Sequence, residues 1–200
     1  MIEIHVRHGE YSKDCGWGLT QEGKRQARSA AAYITEHFPN TFSAYIHSGS
    51  RRAKETALIL QPAGSVWEED RCLREIDWNS SPEPRKFAPW RGMFTRVAAA
   101  CQSVDDSFDS KNRILVSHGG SMRMVRAFRE HLEEENFPVL FTEPYKYFTN
   151  CQLIIYTDED PEKGNNVDSK LWVKSVCPWN QNHSGHDWLE VSANGCSIHY

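Results

Sequence analysis

The opening residues alternate. Ile2, Ile4 and Val6 are apolar while Glu3 and His5 are polar, the period of a strand with one buried and one polar face. The pattern stops at Arg7-His8-Gly9, where glycine permits a sharp turn. A polar loop from Tyr11 to Gly18 leads to Thr20, a candidate N-cap. From Lys24 to Phe38 the alanines, Tyr33 and Ile34 predict a helix that Pro39 ends. Phe42 to His47 reads as a second strand that stops at Ser48-Gly49-Ser50, and Arg51 to Leu60 as a helix. Strand, polar turn, basic pair and helix therefore recur.

Gly64 to Trp67 suggests a third short strand, and Leu73 to Asn79 an acidic loop with apolar anchors. Prolines make the stretch from Ser80 to Pro89 irregular. Trp90 to Val104 predicts a helix with Phe94, Val97, Ala98 and Cys101 on one face. The continuous apolar run from Asn112 to Ser117 belongs at the centre of a sheet. It ends at His118-Gly119-Gly120, before a helix from Ser121 to Glu130. Cys151 to Thr157 and Leu171 to Val176 are further strands joined by a polar, hairpin-like connection, the second of them at a sheet edge. The polar C-terminal residues, with scattered tryptophans, give no clear element. No linker, repeat or low-complexity tract interrupts the chain, so residues 1–200 are expected to form a single domain.

Composition narrows the class. The chain is 39% hydrophobic and 12% aromatic, a globular balance. A net charge of −4 gives no basic surface for nucleic acid or an anionic membrane. No apolar run approaches the ~20 residues of a transmembrane helix. The strand starts at once, with no signal core ahead of it, so a cytoplasmic location is expected. Cys15, Cys72, Cys101, Cys151, Cys177 and Cys196 are scattered without a Cys-x-x-Cys pair, and in that compartment they are expected to be free thiols.

Ligands of open α/β sheets bind at the carboxyl ends of the strands. That is where the pattern puts Arg7-His8, Arg52 and His118, with Glu75 on a neighbouring loop. Two arginines, two histidines and one carboxylate suit a phosphoryl group, because the guanidinium fork matches phosphate oxygens. Helix starts after Ser50 and Gly120 add backbone N–H donors. A neutral imidazole can attack phosphorus and split one difficult step into two. Neighbouring cations favour that neutral form: a unit charge about 4 Å away is worth about 4 kcal/mol at an effective dielectric of 20, roughly three pKa units.

These residues resemble the histidine phosphatase superfamily, which includes cofactor-dependent phosphoglycerate mutases and acid phosphatases. Arg7-His8-Gly9 matches its Arg-His-Gly, and Leu19 through Ala27 its Leu-Thr-x-x-Gly-x-x-Gln-Ala. Ser48 through Ala57 matches its Ser-x-x-x-Arg-Ala-x-x-Thr-Ala, which selects Arg52 over Arg51. Leu73-Arg74-Glu75 and Ser117 through Gly120 complete the set in the family's order. The resemblance implies an α/β three-layer sandwich with a mostly parallel sheet flanked by helices, similar to phosphoglycerate mutase, with a small cap at about residues 77–104. It implies His8 as nucleophile, Arg7, Arg52 and His118 as the phosphate pocket, and Glu75 as the acid that protonates the leaving oxygen and later activates water. Asp77 is a second candidate for that acid, and Arg51 is adjacent to the pocket motif. No metal or organic cofactor is implied. Cys177, His183 and His186 form a loose grouping whose spacing is not a recognised zinc pattern.

The chain departs from the family in two places. The span from Glu75 to His118 is shorter than in mutase-type members, whose longer insertion caps the site. Tyr11-Ser12-Lys13 also lacks the asparagine that mutases and sugar phosphatases carry after the first motif. Both departures favour a phosphatase of phosphate monoesters, from a phosphorylated small molecule or a phosphoprotein. Alternatives are a protein phosphohistidine phosphatase, a phosphoglycerate-type mutase and, last, a phosphate-binding protein without turnover.

Overall fold

Both faces of the first strand are buried. β1 (Ile2–Arg7) was expected to present a polar face to solvent, yet Glu3 and His5 are as enclosed as Ile4 and Val6. The charges on that face are paired inside the protein. His5 Nε2 lies 2.5 Å from Glu3 Oε1, and Arg129 donates to both Glu3 oxygens at 3.0 and 2.8 Å. Arg113 also binds Glu3, and Asp105 completes the group against Arg129. Burial alone pushes the Glu3 carboxyl upward, but His5, Arg129 and Arg113 outweigh it and hold it well below the usual carboxylate range.

A computed structural model describes residues 1–39, 41–62, 64–75, 88–107, 112–141, 148–164 and 170–191. After β1 come α1 (Gln21–His37), β2 (Ala44–His47), α2 (Arg51–Leu60), β3 (Glu68–Glu69) and α3 (Ala88–Ser107). They are followed by β4 (Arg113–Ser117), α4 (Gly119–Arg129), β5 (Leu153–Thr157), β6 (Leu171–Val176) and β7 (His186–Val191). The strands form one sheet in the order β3-β2-β4-β1-β5-β6-β7. Pairing is parallel from β3 through β1 and antiparallel from β1 through β7, so the expected sandwich has a mixed sheet. Parallel neighbours need long crossovers, which α1 and α2 help to supply, whereas β5 to β7 pair antiparallel with shorter connections.

Ala27 and Ala30 of α1 and Ala53 and Ala57 of α2 pack on Ile4, Val6, Ile114 and Val116. On the opposite face Met93 and Val97 of α3 join Met122 and Val125 of α4 against Ile154 and Tyr156. Small residues on α1 and α2 let those helices lie close to the strands. Thr20 caps α1 by accepting from Gly23 N at 3.0 Å, and Ser50 caps α2 by accepting from Ala53 N at 3.3 Å.

Three boundaries differ from expectation. The third strand is Glu68–Glu69 and not Gly64 to Trp67, because a turn closed by Ser65 N to Pro62 O occupies the earlier residues, with Gly64 at φ 84°. Trp67 nevertheless packs on Tyr45 and His47, which is why its neighbourhood read as apolar. β6 is not an edge strand: β7 covers it, held by cross-strand pairs of Lys174 with Asp187 and Lys170 with Glu190. A 3-10 stretch at Glu134–Phe141 was not foreseen; it buries Phe137 and Leu140. Residues 77–87 of the cap expected at about 77–104 lie outside the described residues, and what is described of the rest is α3, packed on α4. Among the described residues no helix is long and apolar enough to cross a membrane, and Cys15, Cys72, Cys101, Cys151 and Cys177 form no disulfide.

Candidate active site

β1, β2 and β4 end together. Arg7 pairs with Ser117 and His47 with Val116, so His8, Ser48 and His118 leave the sheet side by side. The turn after β1 is clamped to α1 and α2. Gly9 N donates to Thr56 Oγ1 and Glu10 N to Gln26 Oε1, each at 3.0 Å. A Cβ on Gly9 would stand 2.5 Å from Gly23 O, and one on Gly23 would overlap the Glu10 carbonyl. Neither position has room for a side chain. The Leu-Thr-x-x-Gly-x-x-Gln-Ala segment therefore acts here as a backbone vice that fixes where His8 points.

His8 is buried, and its Nδ1 lies 2.8 Å from Gly9 O. A carbonyl only accepts, so Nδ1 carries the ring proton and Nε2 keeps its lone pair. Arg52 Nε donates to that Nε2 at 3.1 Å. Burial first, then the neighbouring His118, Arg7 and Arg52, holds His8 well below the ordinary histidine value, so the ring is neutral at pH 7.

His118 has the opposite tautomer. Its Nδ1 accepts from the Arg52 guanidinium at 3.1 Å, which leaves the proton on Nε2 to donate to Ser48 Oγ at 2.8 Å. Burial and the guanidinium groups of Arg52, Arg7, Arg96 and Arg74 push His118 down to about 3. The two rings stand 5.0 Å apart, centroid to centroid. Arg52 bridges both from the first turn of α2, and its guanidinium lies over the Tyr11 ring at 4.5 Å.

Arg7 donates to Phe148 O, while its Nε is buried with no hydrogen-bond partner among the described residues. Such a buried donor is costly unless something accepts from it. Glu75 Oε2 accepts from Gly120 N at 3.0 Å in the first turn of α4, where the helix dipole favours a carboxylate. Ser121 Oγ binds Leu73 O at 2.7 Å, and Arg96 donates to the carbonyls of Cys72 and Arg74, so the Glu75 segment is tied down on both sides.

Arg7, His8, Arg52 and His118 thus meet, and Glu75 stands close enough to Arg7 for their charges to interact. Arg51 turns instead to Glu55, at 2.8 Å, and to Gly16 O. Asp77 lies outside the described residues, as does the side chain of His186. Cys177 is buried and His183 is exposed against Trp179; among the described residues no three potential ligands converge on a metal position. Tyr11, Ser48, Ser50 and Arg96 had no assigned part in the sequence reading. Tyr11 and Arg96 belong to no matched motif, Ser48 opens one without a role of its own, and Ser50 reads as part of the turn before the helix.

Chemically, the cluster offers two guanidinium groups and a helix start to an oxyanion, a neutral nitrogen nucleophile beside them, and a carboxyl group at the rim.

A histidine phosphatase superfamily (branch 1) family model matches residues 4–86. No curated protein matches the chain by sequence. Solved structures do match in fold. A phosphoserine phosphatase mutant from Entamoeba histolytica, in complex with phosphoserine, superposes with a TM-score of 0.59 at 16% identity, covering 83% of this chain and 93% of that one. A mycobacterial glucosyl-3-phosphoglycerate phosphatase complexed with VO3 gives 0.61 at 21%, covering 78% and 92%. YhfR from Bacillus stearothermophilus gives 0.65 at 20%, covering 82% and 93%. Over residues 4–86 the chain is thus similar in sequence to the histidine phosphatase superfamily (branch 1), and its sandwich fold is similar to those of the three solved structures.

Proposed function

We propose that this protein hydrolyses phosphate monoesters through a phosphohistidine intermediate on His8, without a metal. The observation that carries the reading is the state of His8: neutral, its Nδ1 proton held by Gly9 O, its Nε2 lone pair facing Arg52. The similar folds whose names are phosphoserine phosphatase and glucosyl-3-phosphoglycerate phosphatase support a phosphorylated small molecule as substrate.

In the first step Nε2 of His8 attacks phosphorus as the P–O bond to the alcohol breaks, and the alcohol oxygen takes a proton from Glu75. Arg7 and Arg52 hold the phosphoryl oxygens throughout, His118 joins them by turning its Nε2 proton from Ser48 to one of those oxygens, and together they stabilise charge as it develops. In the second step water attacks phosphorus and gives its proton to Glu75, and the electrons of the P–N bond return to Nε2. His8 and Glu75 end as they began.

Acid quenching of the enzyme during turnover should leave an acid-labile, alkali-stable phosphoryl group on the protein. His8→Ala should abolish both that label and turnover. Chelators should have no effect, and vanadate should compete more strongly than phosphate, since it takes up the trigonal-bipyramidal shape of the transition state. A His8→Ala protein that still turns over, or chelator inhibition reversed by a divalent metal, would overturn the mechanism.

A further inference from the structure

The loop between β1 and α1 carries a line of rings that the phosphoryl chemistry does not require. Tyr11 stands edge to face with His8 at 5.1 Å, and Trp17 lies 6.1 Å beyond Tyr11. Trp17 is 48% exposed, so the line runs from the nucleophile to solvent. About half of the Trp17 surface is thus open to solvent at the outer end of the line.

Its backbone is also unusual. Trp17 has φ 65°, a region that bulky residues rarely occupy, and it follows Gly16 at φ 61°. The conformation is enforced by the loop: Trp17 N donates to Ser12 O at 2.9 Å, Gly16 N to Lys13 O at 2.8 Å, and Tyr11 bridges to Leu19. The loop is anchored in turn by Leu19 N on Glu55 Oε2 and by Arg51 on Gly16 O. Glycine would fit at position 17 without strain, and an indole is held there instead. Strain of this kind persists where the surroundings over-determine it, often beside a site.

From this ladder we infer that the protein prefers phosphate monoesters whose alcohol carries an aromatic ring next to the ester oxygen. The inference rests on the phosphatase reading above and adds a substrate class to it. The leaving alcohol departs from the phosphoryl group held by Arg52, and Tyr11 lies directly beneath that guanidinium. A ring on the alcohol can then stack or meet edge to face with Tyr11 and Trp17. Lys13, 5.2 Å from the Trp17 ring, adds a positive charge at the outer end.

The test compares benzyl phosphate with cyclohexylmethyl phosphate, which match in size and in having a poor alkyl leaving group. Wild-type kcat/KM should favour the benzyl ester by about three- to ten-fold, the range of one aromatic pair. Trp17→Leu should bring that ratio toward one, and Trp17→Phe should restore most of it. Equal kcat/KM for the two esters in the wild type would overturn the preference, as would a ratio unmoved in folded Trp17→Leu. If neither ester nor 4-nitrophenyl phosphate is hydrolysed at all, the phosphatase reading fails and takes this inference with it.

Discussion

Arg52 Nε lies 3.1 Å from Nε2 of His8, the one ring nitrogen not engaged by the backbone, and its Nη2 lies 3.1 Å from Nδ1 of His118. One planar guanidinium thus addresses both histidines, which no single ammonium can do. Arg52→Lys keeps the charge and removes the fork. With two charge-assisted hydrogen bonds lost at about 1.5–2 kcal/mol each, kcat/KM should fall about 10²–10³-fold. Inhibition by phosphate should weaken in parallel, with the fold intact by circular dichroism. A loss under threefold would show that charge alone suffices.

The depressed His118 gives a signed pH dependence. An unfolded histidine titrates near 6.5, whereas in the folded protein His118 titrates at about 3. Below pH 6.5 the unfolded chain therefore takes up a proton that the folded chain refuses, and stability falls until the pH passes the folded value. Between pH 7.5 and pH 5 this one group should cost about 2 kcal/mol. Urea unfolding of wild type and His118→Gln at both pH values isolates it: the variant should lose about 2 kcal/mol less on acidification. An equal loss in both proteins would mean that His118 is not held neutral by its surroundings.

Sequence patterns reached the site further than they reached the sheet. Arg7, His8, Arg52 and His118 were legible because each sits where an apolar run meets a turn or a cap, features that local pattern reports directly. The Glu3 and His5 face was misread because alternation reveals polarity, not exposure. Its burial depends on Arg113 and Arg129, more than a hundred residues away along the chain. β7 escaped notice for a related reason: as an edge strand it alternates too weakly, with Asp187 and Glu190 in solvent. Tyr11 was visible as a departure from the family, but only coordinates show it beneath Arg52.

The buried group around Glu3 offers a prediction about stability alone. Arg113 is 1% exposed and bonded to Glu3 and Asp105. Arg113→Met keeps bulk and leaves Glu3 with less compensating charge. Breaking a buried ion pair from one side costs about 3–5 kcal/mol. Arg129 remains to share the load, so the lower part of that range is expected in denaturant unfolding at pH 7. A cost below about 1 kcal/mol would show that Arg129 and His5 suffice.

Two glycines should respond oppositely to alanine. Gly92, exposed on α3, has nothing within 4 Å of where a Cβ would stand. Gly92→Ala should stabilise by about 0.5–1 kcal/mol through helix propensity. In Gly23→Ala the new Cβ would overlap the Glu10 carbonyl, which cannot swing aside as a side chain can. The loop carrying His8 must shift instead, so the variant should lose both stability and kcat. Thermal unfolding and 4-nitrophenyl phosphate turnover measure the two effects. If Gly23→Ala matches wild type in both, the clamp between Glu10 and α1 does not set the position of His8.

Glu75 as general acid can be tested without altering Glu75. Its Oε2 is held by Gly120 N, and a Cβ on Gly120 would overlap its Oε1. Gly120→Ala should therefore push the carboxyl off the helix start without removing it. An alkyl phosphate expels a poor leaving group and needs a proton on the departing oxygen, whereas 4-nitrophenyl phosphate needs little help. General acids contribute about 10²–10⁴-fold. In single-turnover phosphoenzyme formation, Gly120→Ala should thus slow an alkyl phosphate at least ten times more than the nitrophenyl ester. Glu75→Gln, which keeps size and polarity but cannot serve as an acid, should show the same selectivity to a greater degree. A disturbed phosphate pocket would slow both substrates equally, so equal losses in both variants would remove Glu75 from the proton transfer. Selectivity in Asp77→Asn and not in Glu75→Gln would move the acid two residues along the chain and leave His8 as nucleophile.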